Sequence, residues 1–210
     1  MAKTEVFDKN FKKYEQWFEE NKYVYLSELK AVSKLIPEKA KGFEIGIGTG
    51  LFAQPLGILE GIEPSEQMRK KARKRGLKVI DAVAENLPYH NESKDFALMV
   101  TTICFVDDIE KSFQEAKRVL KRKGSLIIGF VDKNSPVGKM YLKNKAKSLF
   151  YRKATFWSSE EVISILGKTG LEVTKIVQTV FGKLAKIKNR QKVLPGYGKG
   201  SFVVMKAKKV

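Results

Sequence analysis

"FEIGIGTG", Phe43 to Gly50, sets Gly46, Gly48 and Gly50 into a run that otherwise reads as the end of a buried strand. Glycine inside a strand costs backbone entropy and offers no side chain to pack. Three of them in alternation mark a place where the backbone has to stay bare. The chain around the run alternates strand and helix. "KGFEIGIG" is a first strand, and "ILEGIEPS" a second, with Ser65 placed to cap the helix SEQMRKKARKRG that Gly76 ends. "LKVIDAVAE" is a third strand, and "DFALMVTTIC" is a near-continuous apolar fourth of the kind buried on both faces. An amphipathic helix, IEKSFQEAKRVLKRKG, then leads into "SLIIGFV" as strand five. Such alternation predicts a parallel sheet with helices on both faces, in which ligands gather at the carboxyl ends of the strands. The glycine turn lies there, opening toward a helix start whose N–H groups are free.

Outside that half, residues 5–36 carry apolar positions at helical spacing and predict two helices broken near Asn21 and stopped by Pro37. Pro55 makes any helix after Gly50 short or irregular. Residues 133–157 interrupt the rhythm with a basic, aromatic stretch. "SSEEVISILGKTG" follows as a helix capped by Ser158 or Ser159, and "LEVTKIVQTVF" and "GSFVVMKAKK" form a closing strand pair. The expected architecture is α/β: a Rossmann-like, doubly wound, mostly parallel seven-stranded sheet with an antiparallel last strand and added N-terminal helices. One domain over 1–210 is expected: a helical lid at 1–36, a cofactor-binding half at 37–132, a substrate-side insertion at 133–157, and a C-terminal helix and strands at 158–210.

The chain has 210 residues, 43% hydrophobic and 30% charged. No run approaches the roughly 20 apolar residues of a membrane span, and no secretory signal is visible at the N-terminus. The lone Cys104 can form no internal disulfide, which fits a reducing cytoplasm. Forty-one Lys and Arg against 23 Asp and Glu give a net charge of +18. That surface would attract polyanions, RNA included, but its basic residues are mostly lysine and spread along the chain, as on a thermophile's solvated surface.

Glu63 closes strand two 13 residues after Gly50, where an acid can hold both hydroxyls of a ribose. A nucleoside-bearing ligand is therefore expected. The turn reads E-x-G-x-G-x-G, with Glu44 leading. It is neither the G-x-G-x-x-G of dinucleotide sites nor a phosphate loop ending in Gly-Lys-Ser/Thr.

These residues resemble the class I S-adenosylmethionine-dependent methyltransferases, and in particular their small, metabolite-methylating members. "EIGIGTG" is similar to the family's first motif and "GIEPS" to its second. "AENLPYHNESKDFALMV" and "ATFWSSEEVISILGKTGLEV" resemble its later segments, in order along nearly the whole chain. The resemblance implies S-adenosyl-L-methionine as cofactor. Gly46, Gly48 and Gly50 would border its amino-acid and ribose portion, Glu44 would face the ammonium, and Glu63 with Pro64 would border the ribose. Val83, Ala84 and Glu85 would edge the adenine, and Thr101 would lie under the sulfur. Family members often carry Asp where this chain has Val83, which leaves Glu85 or water to meet the adenine amine. The acceptor would be a small molecule methylated on O or N. Its pocket would come from the first helices and the segment after strand five, with Tyr14, Trp17, Tyr141 and Tyr151 as wall residues and Phe7, Phe18, Met140, Phe150 and Trp157 nearby.

No residue is singled out as a general base. His90, the only histidine, lies in the polar "PYHNES" loop and reads as solvated. Asp107 and Asp108 read as a cap for a helix at Ile109, so no metal is expected. A tRNA or rRNA methyltransferase gripping phosphate through the basic stretches, or a cofactor-binding module without turnover, are the competing readings.

Overall fold

The computed structural model describes residues 4–209. Its elements are α1 (Glu5–Glu20), α2 (Lys22–Ser33), β1 (Gly42–Ile45), β2 (Glu60–Ile62), α3 (Glu66–Lys74), β3 (Lys78–Ile80), β4 (Lys94–Val100) and α4 (Ile109–Val119). They continue with β5 (Leu120–Val131), α5 (Pro136–Asn144), α6 (Ser159–Lys168), β6 (Leu171–Thr179), β7 (Leu194–Pro195) and β8 (Phe202–Lys209). One sheet runs in the order β3-β2-β1-β4-β5-β8-β6-β7. The pairs β1–β2, β2–β3, β1–β4 and β4–β5 are parallel, whereas β8 is antiparallel to both β5 and β6. The seven strands expected are present. The eighth, β7, is a two-residue piece inside the polar excursion, paired antiparallel with β6.

Alternating residues of β1 and β4 divide between two cores, as a pleated strand requires. Phe43, Ile45, Ala97 and Met99 pack with Phe113 of α4 and Val162 and Leu166 of α6. On the opposite face Phe96, Leu98 and Val100 pack with Val24, Ala31 and Val32 of α2. With both faces covered, the strands are apolar almost throughout. The strand order reverses at β1 and β4, and their carboxyl ends open the crevice where the site lies.

The caps are those the sequence predicts. Ser65 Oγ accepts from Met68 N–H, Asp108 Oδ1 accepts from Lys111 N–H at 2.9 Å, and Ser158 with Glu161 forms a reciprocal capping box. Two boundaries differ. The helix expected to run to Gly124 stops at Val119, because Leu120 is fully buried in extended backbone opposite Lys94. The chain then turns at Lys123 (φ 64) and Gly124, where a Cβ would sit 2.8 Å from the Lys121 carbonyl oxygen. After Gly50 there is only a turn and one 3-10 segment, Gln54–Leu56, with Pro55 in its first positions. The insertion at 133–157 holds α5, capped by Ser135, and two further 3-10 turns.

Helix α1 takes part in no strand crossover. It kinks at Asn10 (φ −132°, ψ 23°) and lies on α3. Glu15 pairs there with Arg75 at 2.7 Å and Lys71 at 3.1 Å.

Candidate active site

A cavity of about 490 Å³ opens at the carboxyl ends of β1, β2 and β4, within the roughly 300–1,000 Å³ usual for small-molecule sites. Of the residues singled out from sequence, it is lined by Gly46, Glu63, Pro64, Val83, Ala84, Glu85, Thr101, Tyr14, Trp17, Tyr141 and Tyr151. Glu44, Gly48 and Gly50 lie behind this surface. So does Trp157, whose indole N–H bonds the Ile103 carbonyl at 3.2 Å, and Met140 is exposed.

The glycine turn is bare for three different reasons. All three glycines adopt positive φ, where a side chain is strained. At Gly46 a Cβ would fall 2.6 Å from Thr102 Cγ2. At Gly50 it would fall 2.4 Å from Leu77 Cδ1, just beyond α3, so its bareness is required by packing. Gly48 lies under Tyr14, with its Cβ position 3.4 Å from the phenol oxygen, and its N–H is spent on Glu63.

Glu63 is held from several sides. Its Oε2 accepts from Gly48 N–H and its Oε1 from Ser65 N–H, each at 2.9 Å. Its carbonyl accepts from Arg69, which also forms a two-toothed pair with Asp81 at 2.9 and 2.8 Å. Burial pushes the Glu63 carboxyl up to about 7 against the pull of those two N–H groups. Each oxygen keeps a lone pair for a further donor, so the group suits the paired hydroxyls of a ribose.

Glu44 is buried, with Oε2 lacking a hydrogen-bond partner among the described residues. Burial raises its carboxyl well above the usual range, opposed by a bond from Ala53 N–H. An orphaned acid behind the turn fits a cationic group on the ligand side, reached through the turn. Glu85 lines the cavity, yet its Oε1 accepts from Asp107 and Asp108 N–H at 2.7 and 3.2 Å. It therefore also shapes the loop before α4. Thr101 adopts φ 54°, rare for a β-branched residue, and is fixed by its N–H bond to the Gly129 carbonyl at 2.7 Å.

The far wall is aromatic. Phe7 stacks on Phe150 at 5.5 Å and meets Phe105 edge-on at 5.0 Å, while Tyr141 stacks on Tyr151 at 4.9 Å. Tyr14 meets Phe18 at 5.0 Å. Phe18, placed near the pocket from sequence, lines the cavity as well. Among the described residues every charged side chain on the lining is acidic: Glu28, Glu63, Glu85 and Asp107. In a chain of net charge +18 this is a local inversion of sign.

Glu28, Thr102, Phe105 and Met68 line the cavity without having been singled out from sequence. For Glu28 the signal was there. Val24, Glu28, Ala31 and Leu35 fall on one helical stripe, and an acid on an apolar stripe is an anomaly. Asp108 caps α4 as expected, whereas Asp107, expected to share in that cap, lines the cavity. Among the described residues no group of His, Cys, Asp and Glu is placed to hold a metal ion.

Residues 43–128 match the family described as a methyltransferase domain. Over 99% of both chains, the protein is 50% identical to a Thermotoga maritima SAM-dependent methyltransferase described as a possible histamine N-methyltransferase, with a TM-score of 0.96. An uncharacterized protein of Methanocaldococcus jannaschii is 46% identical over 98% of this chain and 99% of its own length. A Methanosarcina mazei SAM-dependent methyltransferase shares the fold, with 17% identity over 85% of this chain and 96% of its own and a TM-score of 0.64. The chain belongs to the S-adenosylmethionine-dependent methyltransferases. It is an enzyme of that class, and S-adenosylmethionine is its cofactor. No helix among the described residues is long and apolar enough to cross a membrane.

Proposed function

We propose that the enzyme methylates a small molecule, on O or N, seated between the carboxyl end of β4 and the aromatic wall. The observation that carries this reading is enclosure. Phe7 and Tyr14 of α1 pack onto Phe105 and Phe150, so the cavity is roofed by the protein's own first helix. A compact, partly aromatic acceptor suits such a chamber. The Thermotoga relative's description as a possible histamine N-methyltransferase lends support, since that name too denotes a small acceptor.

The cofactor supplies a methyl group on an already activated sulfonium. Glu63 would bind the ribose hydroxyls, Gly46 and Pro64 would border that portion, and Val83 and Ala84 would flank the adenine. Glu44 would act through the turn on the ammonium, and Gly48 and Gly50 would hold the turn's shape. Thr101 would set the floor beneath the sulfur. Tyr14, Trp17, Tyr141 and Tyr151 would orient the acceptor and exclude water. Alignment of this kind can supply much of the acceleration in a displacement.

The test is a melting-temperature screen of metabolites against the full chain in the presence of S-adenosylhomocysteine. Additional stabilisation by a small-molecule acceptor, followed by methylated product, is expected. Shifts from structured RNA alone would overturn the reading.

A further inference from the structure

We propose that Glu28 is the recognition and proton-accepting group for a cationic nitrogen on the methyl acceptor, so that the substrate class is an amine or a similarly basic nitrogen compound. The inference rests on the small-molecule methyltransferase reading above and narrows it. Glu28 lies in α2 with 6% of its surface exposed, yet it lines the cavity. Its carboxyl makes no hydrogen bond or ion pair among the described residues. A buried carboxyl is normally paired, so one left unpartnered and facing an internal chamber awaits a ligand. The surroundings narrow the choice. Phe18, Tyr141 and Tyr151 line the same cavity, and among the described residues no Lys or Arg does. Aromatic faces around an unpartnered acid favour a cation over a neutral or anionic partner.

The titration of the site agrees with the geometry. Burial alone pushes the Glu28 carboxyl up to about 8. The ionisable groups within its field are Tyr14 on α1, Tyr25 on its own helix, Tyr141 on α5 and Tyr151 in the 3-10 turn beyond. All four phenols are held above their ordinary value, by burial first and by neighbouring groups including Glu28 after it. They stay protonated near neutrality, so among these neighbours Glu28 is the group that changes state there. A protonated amine entering the chamber would draw Glu28 into its charged form, with release of the carboxyl proton to solvent. An ammonium nitrogen is not a nucleophile until one N–H bond breaks. The electron pair then stays on nitrogen and the proton moves to a Glu28 carboxylate oxygen, from which it later passes to water. A carboxyl tuned near the working pH suits that exchange.

The test is calorimetry on the full chain saturated with S-adenosylhomocysteine. The probes are histamine, 2-phenylethylamine and its neutral counterpart 2-phenylethanol. The amines should bind at least about tenfold more tightly than the alcohol, the discrimination expected of one charge-assisted contact. Titrations in buffers of different ionisation heat at pH 7 should show release of nearly one proton on amine binding. Glu28→Gln should abolish both the preference and the proton release while the protein stays folded and S-adenosylhomocysteine affinity holds. Glu28→Asp should restore part of each. Equal binding of amine and alcohol, amine binding without proton release, or an unchanged preference in Glu28→Gln would overturn the proposal. Failure of S-adenosylhomocysteine to bind the wild type would instead count against the methyltransferase reading itself, so the two failures are distinguishable.

Discussion

Asp8 of the first helix accepts the Ser65 hydroxyl at 2.7 Å, and the same oxygen accepts Gln67 N–H at 3.1 Å. A carboxylate from α1 thereby completes the cap of the helix that follows Glu63. Two turns further along α1, Glu15 binds Arg75, whose guanidinium also reaches the Thr49 carbonyl at 2.6 Å. The roof of the cavity is thus clasped to α3 at two points and to the glycine turn through Arg75. Such a cap contact is worth about 1 kcal/mol. Asp8→Ala should therefore speed hydrogen exchange of amides in Glu5–Glu20 by about fivefold, as local opening becomes that much cheaper. The sheet's amides should keep their protection. Unchanged exchange in α1 would show that aromatic packing alone holds it.

Glu63→Ala and Gly50→Ala separate the ligand's needs from the fold's. The first removes the acceptor for Gly48 and Ser65 N–H and the proposed partner of the ribose hydroxyls. S-adenosylhomocysteine should bind about a hundredfold more weakly by calorimetry. The second forces a Cβ against Leu77 in left-handed backbone, at a cost of about 1–3 kcal/mol in stability. Its melting temperature should fall by several degrees with affinity nearly intact below the transition. Weak binding by a well-folded Gly50→Ala protein would place that glycine in the site after all.

RNA binding should be weak, indifferent to sequence, and gone near physiological salt. The net charge of +18 attracts polyanions, but screening removes a diffuse lysine surface's grip as salt rises. Among the described residues the cavity lining offers a phosphate no cation and four acids. Filter binding that gives a sub-micromolar Kd for structured RNA at about 0.15 M salt would point to a macromolecular acceptor.

The parallel half of the fold was legible because its signals are local. Ser65, Asp108 and Ser158 announce helix starts, and alternation in "FEIGIGTG" and "DFALMVTTIC" announces strands. What was not legible depended on partners distant in sequence. The early end of α4 follows from Leu120 pairing with Lys94. The bareness of Gly50 follows from Leu77, 27 positions on, and no local rule distinguishes it from a ligand-facing glycine. The part of the cavity lining that comes from the strand ends came through clearly, since its residues sit in fixed motifs. The acceptor side did not, because α1, α2 and the 133–157 insertion meet only in three dimensions. Glu28 was passed over for that reason, although an acid between Val24 and Ala31 on an apolar stripe was visible.

Stability of the ligand-free protein should fall as pH rises from about 5 to 8. Burial raises Glu63 to about 7 and Glu28 to about 8 from an ordinary value of 4.5, and raises Glu44 further. A raised acid binds more protons in the folded chain than in the unfolded one between those values, so its stabilising effect is lost as pH climbs through the folded value. Each unit of such a shift corresponds to about 1.4 kcal/mol. The ion-paired acids Glu15, Glu115 and Glu161 are lowered instead, so their contribution is lost below about 4.5 and leaves this window alone. Glu28→Gln should make the melting profile shallower between about pH 5 and 8, and Glu63→Gln between about 5 and 7. S-adenosylhomocysteine, by donating its ribose hydroxyls to Glu63, should make the lower part shallower in the wild type. A wild-type melting temperature that is flat or rising over pH 5–8 would overturn the assignment of these carboxyls as protonated in the empty site.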